Sequence, residues 1–172
     1  MPFFRVLWRY RTRAANEQTA FRPKSPYGVA KAAAISLVTN YRESYGLFAC
    51  SGVLFNHESP LRASRFVTRK VTAAAAKIGA GRRDWGWAPD YVEAIWKMLQ
   101  CDHPDDFVVA SGVSHSLEEF VATAFAEVGL NWRDHVDYDS SLVRSSEIMC
   151  SLGDPSKAAQ SSTGARLSNC RR

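Results

Sequence analysis

Apolar and polar positions follow one another along the chain in blocks whose period switches between helical and extended. In "SPYGVAKAAAISLVTNYRESYG" (25–46) the apolar positions Val29, Ala30, Ala33, Ala34, Leu37, Val38 and Tyr41 recur at helical spacing. Ser25 followed by Pro26 supplies an N-cap and first-turn pair, and Gly46 supplies a stop, so the block predicts a helix. "LFACSGVLF" (47–55) is then nearly continuous in apolar residues between Gly46 and Asn56, the pattern of a strand covered on both faces. Downstream, "FVTRKVTAAAAKIGAG" (66–81) predicts a helix ending in glycines. "PDYVEAIWKMLQ" (89–100) predicts another with Pro89 in its first turn, and "DFVVASG" (106–112) a short strand. Ser116 with Glu119 forms a capping box ahead of the stripe Leu117, Phe120, Val121, Ala124, Phe125 and Val128, which Gly129 closes. Helices alternating with buried strands predict an α/β domain. After Ala159 the run "QSSTGARLSNCRR" has one leucine, no aromatic residue and no usable period, which predicts a frayed tail.

Composition agrees with one globular domain: 172 residues, 46% hydrophobic and 12% aromatic. The formal charge of +5 would suggest nucleic acid as a partner, but its position argues otherwise. Arg5, Arg9, Arg11 and Arg13 lie in residues 1–13, and Lys157, Arg166, Arg171 and Arg172 in residues 157–172, neither segment holding an acid. The remaining 14 bases meet all 17 acids, so the body of the chain carries 14 − 17 = −3. A basic nucleic-acid-binding body is thereby excluded. The four cysteines form no C-x-x-C pair and the four histidines do not cluster with them, which predicts reduced thiols and no metal. No apolar run approaches the roughly 20 residues of a membrane span. Arginines interrupt the opening "MPFFRVLWRYRTR" where a signal peptide needs an unbroken apolar core, so the expected location is cytoplasmic, with no membrane partner. Neither G-x-G-x-x-G nor G-x-x-x-x-G-K occurs.

Candidate chemistry begins with Tyr27, which lies four residues before Lys31 on the first helix and so shares its face. A free tyrosine, with a pKa near 10, is a poor base at neutral pH, and a neighbouring ammonium lowers such a value by about 1 to 3 units. Spacing alone leaves two readings open: a proton-accepting pair, or two side chains on a solvated helix face.

The surrounding sequence narrows the choice. "SPYGVAKAAAISLVTNYRESYGLFACSGVLFNHESPLR", together with the runs "NYRESYG", "LFNHESP", "FVTRK", "RDWG", "DYVEAIWKMLQ" and "GDPSKA", resembles the GDP-mannose 4,6-dehydratase family of extended short-chain dehydrogenase/reductases over most of residues 16–159. The resemblance implies the carboxyl-terminal half of a Rossmann-like, doubly wound α/β sheet interleaved with a small substrate-binding lobe. It implies an NADP cofactor and the redox-neutral dehydration of GDP-mannose to GDP-4-dehydro-6-deoxy-mannose, a step towards GDP-fucose and other deoxysugars. The intact family enzyme is expected to be a homo-oligomer. Residue by residue, Tyr27 takes the proton of the sugar 4-hydroxyl and Lys31 supports it and holds the nicotinamide ribose. His57 and Arg62 contact NADP, while Asn56, Lys70, Arg83, Arg144 and Glu147 fall where the family binds GDP-mannose. For His57 a backbone-capping role stays open, and for Lys70 a solvated helix face.

The sequence also departs from the family. The glycine-rich loop, the early strands and the catalytic threonine and glutamate have no counterpart, and Glu17 is not given the elimination role. A strand and a "GN-x-D" turn are skipped between Gly81 and Arg82, and the polar tail replaces an "LGW-x-P" continuation. The division expected is an unmatched basic segment (1–13), a partial NAD(P)- and substrate-binding domain (14–159) and an unmatched tail (160–172). These departures predict a truncated or frame-shifted product with an open sheet edge and little turnover of its own. The alternative is a non-catalytic remnant that associates with full-length subunits.

Overall fold

The computed structural model describes residues 14–61, 82–136 and 150–161. Helix α1 spans Pro26–Tyr45, beginning as the sequence predicts: the Ser25 hydroxyl accepts from the Gly28 N–H at 3.1 Å. It ends at Gly46, whose φ of 63° is the left-handed conformation that glycine adopts without strain. The chain then forms β1 (Ser51–Leu54) and, after Phe55, β2 (Asn56–Glu58). Strand β3 (Arg82–Trp87) runs directly into α2 (Ala88–Met98), which is followed by β4 (Asp106–Val109) and β5 (Ser114–Ser116). Helix α3 (Leu117–Ala126) carries the predicted capping box, a 3-10 turn covers Trp132–Asp134, and the short α4 spans Ser156–Ser161.

Strands β1 and β4 pair in parallel from Ser51↔Asp106 to Leu54↔Val109, and β3 lies between β2 (parallel) and β5 (antiparallel) in a second sheet. Each strand of the first sheet thus continues into a strand of the second. The pleat sends alternate residues of the β1–β4 ribbon to opposite faces. Val53, Val108 and Ala110 pack with Phe55, Ala15 and Ile35 of α1, while Phe107, Val109 and Leu54 pack with Tyr91 and Met98 of α2. A ribbon with a helix on each face is the doubly wound α/β arrangement expected, and parallel strands buried on both sides explain the apolar run. A third cluster joins Val121 and Phe125 of α3 to Leu117, Phe120, Ala124, Trp132 and Val136.

Two strands are shorter than the apolar runs suggest. Pairing begins only at Ser51, so residues 47–50 lie outside β1 and Leu47 and Phe48 are exposed. The segment 110–112 leaves β4 to meet Asp84. The predicted helix at 66–81 lies outside the described residues. Strands β2, β3 and β5 carry too few apolar residues to announce themselves. Along β4, the edge turned away from β1 is sealed from an unexpected direction: the Glu17 carboxylate accepts the Val108 N–H at 2.7 Å.

Charged groups fasten the helices to the ends of the ribbon. Arg42 donates to Asp106 at 3.0 Å and to the Ala49 carbonyl at 3.0 Å, and the Asp106 contact raises the Arg42 pKa although burial opposes it. Lys157 of α4 reaches Asp105 at 2.6 Å and the Asp106 carbonyl at 2.8 Å. Burial pushes the Asp105 carboxyl up, but the Lys157 hydrogen bond and its companions hold it below the ordinary value.

Asp84 joins the two sheets. Its fully buried carboxylate accepts from the Ser111 N–H (2.8 Å) and hydroxyl (2.7 Å) on one oxygen, and from the Gly112 (3.0 Å) and Gly153 (3.2 Å) N–H groups on the other. Burial raises its pKa against the pull of these donors. Asp84→Asn places an amide N–H against at least one buried backbone N–H. It should lower stability by about 1–3 kcal/mol, read from the denaturant midpoint; an unchanged midpoint would contradict this account of the junction.

Candidate functional site

The first two turns of α1 present Tyr27 and Lys31, because Ser25 and Pro26 fix where the helix starts and four residues later the chain returns to the same face. Both side chains are half-buried, and the Lys31 ammonium lies 5.6 Å from the centroid of the Tyr27 ring. A phenol with a cation held beside it can accept a proton while the ammonium stabilises the developing charge. The opposite side of α1 remains in contact with water: among its twenty residues only Gly28 and Ile35 are buried.

His57 sits at the centre of β2. Its Nδ1 lies 2.9 Å from the Phe55 carbonyl, and since a carbonyl only accepts, the proton is on Nδ1 and Nε2 is turned away from the backbone. The backbone-capping contact left open by the sequence is therefore present, made from a strand and not from a loop. The ring leans on Tyr91 with centroids 4.9 Å apart. Gly86, the cross-strand partner of His57, is required there, because an added Cβ would lie 2.3 Å from Tyr91 Cε2.

Asn56 and Arg83 are brought together by register. Asn56 pairs with Trp85, and Trp85 and Arg83, two residues apart on β3, project to the same face. His57 projects to the other. The pleat therefore parts the two residues expected to hold the nucleotide sugar from the one expected to meet the cofactor. Arg83 Nη1 also donates to the Arg82 carbonyl at 2.9 Å. Arg62, Lys70, Arg144 and Glu147 lie outside the described residues.

At the end of this sheet, beside β5, lies a cluster that sequence reasoning passed over. Arg82 donates from both guanidinium ends to the Glu119 carboxylate at 3.3 Å each, and Glu119 also accepts the Ser116 N–H at 2.9 Å. The Ser116 hydrogen bond, followed by Arg82 and His115, holds Glu119 below the ordinary carboxylate pKa, with slight burial opposing. His115 Nδ1 lies 3.6 Å from the same carboxylate. The capping box predicted Glu119 as a helix cap; the antiparallel register that adds Arg82 and His115 has no signal in the sequence. Among the described residues no group of three His, Cys, Asp or Glu could hold a metal, and no helix is long and apolar enough to cross a membrane.

Gly86→Ala should cost about 1–3 kcal/mol through overpacking. It should also displace the His57 ring, read as a shift of its imidazole resonances; a variant with unchanged resonances would show that Tyr91 does not position His57.

A family model described as GDP-mannose 4,6 dehydratase matches residues 9–162. The chain is 50% identical over 157 residues to GDP-mannose 4,6 dehydratase 1 of Arabidopsis thaliana, covering 84% of this chain and 44% of that protein. To the GDP-mannose 4,6 dehydratase of Homo sapiens it is 44% identical over 173 residues, covering 84% and 46%. It thus spans about half the length of the curated relatives it matches. Among solved structures, dTDP-glucose 4,6-dehydratase from Bacillus anthracis in complex with NAD is similar with a TM-score of 0.87 at 16% identity, over 98% of this chain and 55% of that one. RMD from Pseudomonas aeruginosa complexed with NADPH gives 0.76 at 21% identity, over 92% and 57%. These two likenesses show the fold alone.

Proposed function

Because the chain belongs to the GDP-mannose 4,6-dehydratase family, we propose that it serves the conversion of GDP-mannose to GDP-4-dehydro-6-deoxy-mannose with NADP as cofactor. The observation that carries this reading is the Tyr27–Lys31 pair, half-buried on one helix face with the ammonium 5.6 Å from the ring. These two residues suit the nicotinamide-ribose end of such a cofactor by their chemistry, a phenol for the reacting hydroxyl and an ammonium for ribose oxygens. When bound, the dinucleotide supplies reversible hydride acceptance. Tyr27 takes the proton of the sugar 4-hydroxyl, and Lys31 stabilises the charge that grows on the phenolic oxygen. His57 offers Nε2 on the side of its sheet that Tyr91 braces. Arg62 suits a phosphate, which favours the phosphorylated dinucleotide over its parent.

Asn56 and Arg83 hold the substrate from the other face of the sheet, Arg83 as a forked donor to the diphosphate. Lys70 and Arg144 add cations to that group and Glu147 an acceptor for a ribose hydroxyl. Relatives named as GDP-mannose 4,6 dehydratases in Arabidopsis thaliana and Homo sapiens support the choice of substrate.

Two substitutions test the reading. Tyr27→Phe should reduce the small keto-sugar formation expected of this chain by about 10²- to 10⁴-fold while GDP-mannose binding, measured by calorimetric titration, is retained. Arg83→Ala should weaken that binding by about tenfold or more. A wild-type chain that fails to bind GDP-mannose, or an Arg83→Ala chain that binds it equally well, would sink the assignment.

A specific observation favours a second role, association with further subunits. Val29, Leu37, Tyr41 and Tyr45 of α1 are 55%, 58%, 50% and 69% exposed, an apolar face that water disfavours. We propose that this face joins copies of family subunits. Leu37→Asp should then raise the monomer fraction in sedimentation velocity, and an unaltered distribution would remove α1 from the interface.

A further inference from the structure

We infer that His115 is a third substrate-facing group, which binds a phosphate of the nucleotide sugar through Nε2 beside Arg83. The inference rests on the reading of Asn56 and Arg83 given above, and it extends that reading to a residue on a different strand.

The placement follows from register. In the antiparallel β3–β5 pair, Arg83 stands directly opposite His115. Directly opposed residues project to the same face with Cβ atoms about 4.5–5.5 Å apart. That face is also the one on which the β2–β3 register puts Asn56. Asn56, Arg83 and His115 therefore share one surface across β2, β3 and β5, while His57 and Asp84 are on the opposite side.

The ring is oriented and remains accessible. Its side chain is 41% exposed, and Nδ1 is turned to the Glu119 carboxylate at 3.6 Å. Glu119 is itself fixed by the Ser116 N–H and by both ends of Arg82. With Nδ1 turned to that carboxylate, Nε2 is the nitrogen left to meet a ligand. The charged groups that meet the imidazole are Arg83, its cross-strand partner on β3, and Glu119 on α3, which is itself ion-paired with Arg82. Arg82 balances the Glu119 charge, and the Arg83 cation opposite His115 suits an anion better than a sugar hydroxyl. A merely structural role would be confined to the Nδ1 contact with α3.

The two roles separate in a calorimetric titration of the full chain with GDP and with guanosine, which lacks the phosphates, alongside thermal unfolding. His115→Asn should weaken GDP binding by about tenfold, leave guanosine binding and the unfolding midpoint unchanged, and be largely rescued in His115→Lys. If Arg83→Ala weakens GDP binding and His115→Asn does not, the inference fails while the reading of the sheet face stands. If neither substitution has an effect, that reading fails as well. A His115→Asn chain that loses guanosine and GDP equally, or one that Lys does not rescue and that melts early, assigns His115 to the fold and overturns the inference.

Discussion

The carboxylate of Asp84 is the constraint on which the arrangement of the two sheets depends. It is buried completely in the middle of the molecule, where an isolated charge would be very costly, and it is tolerated because each oxygen receives two donors. Those donors come from the segment leaving β4 and from the segment before α4, so one side chain fixes three stretches of backbone far apart in sequence. The same contacts explain why β4 stops at Val109: the next three residues turn to present two N–H groups and a hydroxyl to the carboxylate. β5 then follows at the register that sets His115 opposite Arg83.

Around that junction the packing leaves little room. An added Cβ on Gly153 would lie 2.3 Å from Ala110 Cβ and about as close to the Phe55 ring as atoms can approach, 3.0 Å. Phe55 is the residue at which the chain passes from the first sheet to the second, with its N–H on the Val109 carbonyl at 2.9 Å. Gly86 is held to hydrogen by Tyr91, whose ring also braces His57. Each of these glycines is a close-approach position, so the packing that positions the site tolerates no added methyl group without movement.

What the sequence reveals depends on whether a feature is local. Ser25, Pro26 and Gly46 bound α1 because capping and left-handed backbone are decided within a turn, and the Ser116–Glu119 box marks α3 for the same reason. The apolar runs disclose β1 and β4 but overstate them, since a strand extends only as far as its partner pairs. β2, β3 and β5 are short and half polar, and nothing periodic separates them from loops. The motif runs have the opposite character: "RDWG" and "GDPSKA" are legible as resemblance without disclosing a physical reason. The structure gives reasons for several letters. Asp84 is the junction, Trp85 packs on Phe120, Gly86 and Gly153 are close approaches, Asp154 accepts the Ser156 N–H, and Lys157 clamps Asp105. Glu17 shows the converse: a carboxylate near a candidate catalytic tyrosine turns out to bind a strand edge, a partner ninety-one residues away in sequence.

A consequence of the pleat links the fold to the chemistry. Asn56 and His57 are adjacent in sequence and look like one binding element, yet in β2 they must project to opposite faces. If both act as proposed, the β2–β3–β5 sheet is a partition, with the nucleotide sugar held on the Asn56–Arg83 side and the cofactor met from the His57 side. The first sheet supplies Tyr27 and Lys31 through α1, which packs on β1. The reacting carbon then has to be presented where the two sheets meet, and Asp84 fixes the relation between them. On this view, a substitution at the junction alters the geometry of every proposed contact together, whereas one at Arg83 or His115 alters the substrate side alone.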